Sequence, residues 1–161
     1  MPKKDASADA PSFAEVVREL TKALGKPKKE RGILRFKAPA DAKAAKPWIT
    51  KVHAAGGAAS LAEAHPARDL WVVDGPPSAL MHLVTYVSWH SKSTIKLLDK
   101  LHAEVGVTIS NINYTGFVMT LAKAPKDPAA YAKGFGKLFP YIRGKEEHVI
   151  RAALEKCRWK T

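Results

Sequence analysis

Segments of helical periodicity alternate along this chain with short apolar runs, and most boundaries carry their own start or stop residue. That alternation limits the fold to amphipathic helices and short strands packed around a shared core. Ser12 and Glu15 form a Ser-x-x-Glu capping box. Phe13, Val16, Val17, Leu20 and Leu24 follow at helical spacing, and Gly25 stops the run. After a basic loop from Lys26 to Arg31, the stretch Ile33 to Lys37 predicts a strand, and Pro39 with Asp41 prepares the next helix. That helix runs from Lys46 to Ala55, with Pro47 in its first turn and Trp48, Ile49 and Val52 on one face, before Gly56 and Gly57 end it. Residues 58–69 show no readable pattern.

Leu70 to Val73 is an apolar run ended by Asp74-Gly75-Pro76-Pro77. Met81 to Trp89 alternates as a strand would, with a short helix over Ser78 to His82 as the alternative reading. Ser91 or Ser93 caps a helix bearing Ile95, Leu98, Leu101 and Val105, which Gly106 closes. Val107 to Ile112 and Phe117 to Leu121 form a hairpin around the turn-like stretch Asn113 to Gly116. Asp127 and Pro128 open a helix bearing Tyr131, Phe135, Leu138 and Phe139. A final helix carries Val149, Ile150, Ala153 and Leu154, and Lys156, Arg158 and Lys160 suit its C-terminus. Cys157, the single cysteine, takes an apolar position of that helix and reads as core.

The expected architecture is α+β: a four- or five-stranded, mainly antiparallel sheet with helices on one face. At 161 residues the chain suits one domain, expected over 12–161, behind a disordered tail at 1–11 that has almost nothing to bury. Lys37-Ala38-Pro39-Ala40-Asp41 recurs as Lys123-Ala124-Pro125-Lys126-Asp127, each time between a strand and a helix. Two similar helix-strand-helix halves would explain the echo. Ordinary strand-to-helix punctuation in a chain rich in lysine and alanine explains it as well.

Charge is the least average property. The net charge is +12 and is unevenly spread: 13 Lys and Arg against 6 Asp and Glu over 1–51, 1 against 3 over 52–91, and 13 against 6 over 92–161. Lys26, Lys28, Lys29 and Arg31 form one cationic group, and Lys123, Lys126, Lys133 and Lys137 another. Each side chain can neutralise a phosphate and release counterions. Lysine outnumbers arginine, which suits a solvated surface at least as well as bidentate recognition.

Catalytic constellations do not emerge. The six histidines form no His-Glu-x-x-His or His-x-His pair, no Gly-x-Ser-x-Gly is present, and the glycines match neither phosphate-loop pattern. No cofactor or metal is therefore expected. On the strand reading of 81–89, His82, Tyr86 and His90 share a face and could line a pocket with Asp74, although a polar stripe on a solvated sheet face explains them equally well. Gly134-Phe135-Gly136 lies within a helical pattern and marks either close packing or a helix irregularity.

The leading functional expectation is a noncatalytic binding module whose basic surface meets an anionic partner, with nucleic acid among the candidates. One alternative is a protein-protein adaptor or homo-oligomer whose charge serves solubility. Another is a small enzyme or ligand-binding protein with the His/Tyr-lined pocket. No apolar run reaches the roughly 18 to 20 residues of a membrane helix, and Met1 to Pro11 lacks the apolar core of a secretory signal. A cytoplasmic protein without a membrane partner is expected.

Overall fold

Five helices pack against a seven-stranded mixed sheet in a computed structural model that describes residues 10–64, 67–83, 91–113, 116–138 and 146–160. The helices are α1 (Phe13–Leu24), α2 (Lys46–Ala54), α3 (Lys92–Val105), α4 (Pro128–Leu138) and α5 (Glu147–Glu155). The strands are β1 (Lys28–Glu30), β2 (Ile33–Lys37), β3 (Ala58–Ala64), β4 (Ala67–Val73), β5 (Val107–Asn113), β6 (Phe117–Leu121) and β7 (Arg158–Lys160). They lie in the order β1-β2-β4-β3-β5-β6-β7, and β3 with β5 is the parallel pair. The α+β class agrees with the sequence. The sheet is larger than expected, and it is mixed.

Local chemistry explains the element ends. Ser12 accepts the Glu15 backbone N–H while the Glu15 carboxylate accepts the Ser12 N–H at 2.7 Å, so α1 begins with both halves of its capping box in place. Ser91 Oγ accepts the Thr94 N–H to start α3, and Asp127 accepts the Ala130 N–H to start α4. The expected basic loop is instead an edge hairpin. Arg31 and Gly32 both take positive φ, 50° and 81°, which gives the two-residue turn whose twist matches paired strands. Residues 81–83 belong to a 3-10 helix, Pro77–Leu83, rather than to a strand, and 84–89 lie outside the described residues. The cationic end is likewise not helical. Cys157 adopts a left-handed φ of 57°, so the chain leaves α5, and Arg158 to Lys160 pair with β6 as a strand.

The largest departure concerns the helices, which cover both faces of the sheet. Adjacent strand residues point to opposite faces. On β4, Leu70 and Val72 join Phe36, Ala59 and Leu61 in a core under α1 and α2, sealed by Val16, Leu20, Ile49 and Val52. Trp71 and Val73 join the other core with Ala58 and Ala62. That core continues across Ile109, Ile112, Phe117, Met119 and Trp159 under α3, α4 and α5. On the α1/α2 side, α2 reaches across to β5, and among the described residues no helix packs closely on β6 and β7 there. Val118 and Thr120 are half-buried on that side, beside exposed Arg158 and Lys160.

The Lys-Ala-Pro-x-Asp echo falls at equivalent strand-to-helix turns after β2 and β6, and in each copy the Asp accepts a backbone N–H of the next element. This capping chemistry is enough to account for the echo. The expected tail lies almost wholly outside the described residues. Among those described, no helix is long and apolar enough to cross a membrane.

Candidate polyanion interface

The two cationic groups expected to act together are far apart. Lys26, Lys28, Lys29 and Arg31 are exposed at the β1 edge. Lys123, Lys126, Lys133 and Lys137 are exposed on and before α4, which follows β6. From β1 to β6 the sheet advances five strand positions, roughly 24 Å at about 4.8 Å per strand. Lys28 and Lys29 also point to opposite faces of their strand. Beside them the charge is internally matched, since Arg35 donates to Asp69 and Glu30 at 2.7 Å each. Those hydrogen bonds, the one to Asp69 foremost, hold the Arg35 guanidinium above its ordinary pKa.

The α4 group has neighbours that the sequence reading overlooked. Lys92, Lys96 and Lys100 recur every four residues along the exposed side of α3, the face opposite buried Thr94, Leu98, Leu101 and Val105. Their spacing is visible in the sequence, but their proximity to α4 is not. Lys133 and Lys137 occupy the corresponding outward side of α4, opposite Tyr131, Ala132 and Phe135.

Three contacts set α3 beside α4 in antiparallel fashion. A Cβ at Gly134 would lie 2.8 Å from Leu97 Cδ2, so the bare glycine permits the close approach of the two helices. This is the packing role open to the Gly134-Phe135-Gly136 stretch. Lys100 Nζ lies 5.8 Å from the Tyr131 ring centroid. At the far end, Glu104 accepts both the Lys126 backbone N–H and the Tyr131 hydroxyl at 2.7 Å. The Lys126 N–H, followed by the Tyr131 hydroxyl, lowers the Glu104 pKa. Burial, aided by Glu104, pushes the Tyr131 phenol up to about 12.

The three carboxylates on this surface accept hydrogen bonds from the fold but stay anionic, and Glu104 attracts Lys126 and Lys100, so the seven lysines outnumber them rather than stand alone. Glu104 is held in the α3-to-α4 clamp, Asp127 caps α4, and Asp99 accepts from the Ser78 hydroxyl. Among the described residues, none of the seven lysines Lys92, Lys96, Lys100, Lys123, Lys126, Lys133 and Lys137 makes an ion pair within 4.0 Å. The result is a cationic surface on two rigidly packed helices, which can attract anions with little ordering cost in its backbone.

The expected pocket cannot be assembled from the described residues. Asp74 is exposed in the turn after β4, while the His82 side chain, Tyr86 and His90 lie outside what is described. An open cleft of about 380 Å³ lies elsewhere, between α4 and α5, lined by Ala129, Ala132, Glu147, His148 and Arg151. Among the described residues no three His, Cys, Asp or Glu side chains form a metal-type group. Cys157 is half-buried against the core beneath α3, α4 and α5.

His53, on α2, is a half-buried titrating group. Burial, with a smaller contribution from His102, lowers its pKa from the ordinary 6.5, and its Nε2 is buried without a hydrogen-bond partner. The unfolded chain therefore takes up this proton more readily than the native state. The stability contribution is fully present above pH 6.5 and drains away as the pH falls below it toward the folded pKa. In urea titrations from neutral pH downward, wild type should lose stability faster than His53→Gln below pH 6.5. A difference between the two proteins that stays constant with pH would refute the assignment.

No family model, curated protein or solved structure matches this chain.

Proposed function

We propose that the protein is a noncatalytic binding module whose α3–α4 surface engages an anionic partner. The observation that carries this reading is the set of seven exposed lysines on and beside two packed helices, which outnumber the three carboxylates Asp99, Glu104 and Asp127 held there by the fold. Cations arranged in this way raise the local concentration of polyanions without any need for a pocket. The β1 hairpin is a separate and weaker cationic site, because Glu30 and Asp69 neutralise its central arginine. An adaptor whose charge serves only solubility would be favoured by an exposed apolar patch. Among the described residues, Val149 is the large hydrophobic side chain that stands exposed.

Heparin affinity tests the proposal. Replacing Lys92, Lys96 and Lys100 together with alanine should weaken binding roughly tenfold, taking about 0.5 kcal/mol for each exposed contact and about 1.4 kcal/mol per decade. The matching replacement of Lys26, Lys28 and Lys29 should cost much less. Equal losses from the two variants, or no loss from the first, would remove the α3–α4 surface from the account.

A further inference from the structure

We infer that the anionic partner of the α3–α4 surface is duplex nucleic acid, held through its phosphates without reading of base sequence. The inference rests on the polyanion reading above and narrows it on three grounds.

The first is the choice of cation. All seven residues are lysines, compact point charges on flexible stems. They neutralise phosphates well but lack the planar fork with which arginine grips a guanine edge in the major groove. Contacts of this kind fix a protein on the duplex and carry no sequence information.

The second ground is the fate of the aromatic and apolar side chains. Single-strand binders stack bases on exposed rings. Among the described residues of this half of the sheet, the rings of Phe117, Tyr131, Phe135 and Trp159 are committed to the core, at 5% exposure or less. Helices that lie in an anionic membrane surface insert an apolar face beside the charge. The apolar stripes of α3 and α4 are buried against the sheet, as Leu98, Leu101, Val105, Ala132 and Phe135 show.

The third ground is rigidity and extent. Lys92, Lys96 and Lys100 advance by roughly 6 Å per step at about 1.5 Å per residue, and the field extends roughly 18 Å to the Glu104 clamp. Closely packed helices stand about 8–10 Å apart, so the lysines form a two-dimensional array. A duplex presents about one phosphate per 1.7 Å of its axis in a fixed array. The two helix backbones are also set in place, so only the lysine stems need ordering, a lower entropic cost than closing on a flexible strand.

The test is fluorescence anisotropy on the full chain with two short DNA duplexes of unrelated sequence, their separated strands, and labelled heparin, from about 50 to 200 mM salt. Both duplexes should bind alike and more tightly than either strand. Replacing Lys92, Lys96 and Lys100 with alanine should lower the slope of log affinity against log salt by about 2.7, and Lys133→Ala with Lys137→Ala by about 1.8, at about 0.9 per phosphate contact. The Lys26, Lys28 and Lys29 variant should keep the slope. Preference for one duplex sequence, equal binding of strands and duplexes, or an unchanged slope in the α3 variant would each overturn the inference. Heparin binding without duplex binding would overturn it while leaving the polyanion reading intact. Failure of every polyanion to bind would defeat both.

Discussion

Trp159→Ala is expected to destabilise the protein by about 3–5 kcal/mol, the range for removing a large buried aromatic side chain. β7 has three residues, and Trp159 is its buried one, at 3% exposure between exposed Arg158 and Lys160. The indole packs edge-on to Phe117, with ring centroids 5.3 Å apart, and tilted against Phe135 at 5.2 Å. Each such aromatic pair adds about 0.5–1.5 kcal/mol to the burial itself. Loss of the indole would also leave a void between β6 and α4 and free a strand held by three register pairs. Against a typical total stability of about 5–15 kcal/mol, a change of this size moves the urea midpoint far. Trp159→Phe keeps a ring in the site and should cost clearly less. A cost for Trp159→Ala within about 1 kcal/mol, the scale of a surface change, would show β7 to be peripheral to the core.

The contrast between β7 and α1 shows what could be read from the sequence. α1 is written in short-range chemistry: the capping box at Ser12 and Glu15, the apolar spacing and Gly25 all act within a few residues. The starts of α3 and α4 and the β5–β6 hairpin, where Asn113 accepts the Gly116 N–H at 2.7 Å, are legible for the same reason. β7 is not, because Lys156, Arg158 and Lys160 suit a helix C-terminus and an edge strand equally well. The backbone at Cys157 decides between them. β3 hides differently. Ala58 to Ala64 is rich in alanine, a weak strand former, yet it fills a central place because its packing on both faces overrides propensity.

Long-range relations account for the remaining differences. A strand's pattern says which residues are inside but not which partner lies beside it, so neither the parallel β3–β5 pair nor the covering of both faces could be read locally. The candidate interface divides along the same line. Charge density marks Lys123, Lys126, Lys133 and Lys137, whereas the apolar spacing of Ile95, Leu98, Leu101 and Val105 defines α3 without marking the lysines between them. Only the contacts Leu97 to Gly134 and Glu104 to Tyr131 reveal that the two sets share one surface. The same topology separates that surface from the β1 hairpin, which charge counting alone would have merged with it.

Phe36→Ala is expected to cost about 3–5 kcal/mol as well, through a cavity on the opposite face of the sheet. Phe36 is fully buried in β2, within the core closed by Val16, Leu20, Ile49 and Val52. It lies five strand positions from β7, roughly 24 Å across the sheet, too far for its loss to be coupled directly to that of Trp159. The two costs should therefore add to within about 0.5 kcal/mol, provided that both faces unfold together. Cooperativity is expected because the central strands belong to both cores. β3 gives Ala58 and Ala62 to one and Ala59 and Leu61 to the other, while β4 gives Trp71 and Val73 to the first and Leu70 and Val72 to the second. Opening either face removes the backing of the other. Urea unfolding followed by far-UV circular dichroism and by tryptophan fluorescence should then give coincident single transitions for wild type and for each variant. The double variant, carrying about 6–10 kcal/mol of combined loss, should be largely unfolded without denaturant. A biphasic curve for Phe36→Ala, with the transition sensitive to Trp159 left in place, would mean that the two faces fold independently despite the shared strands.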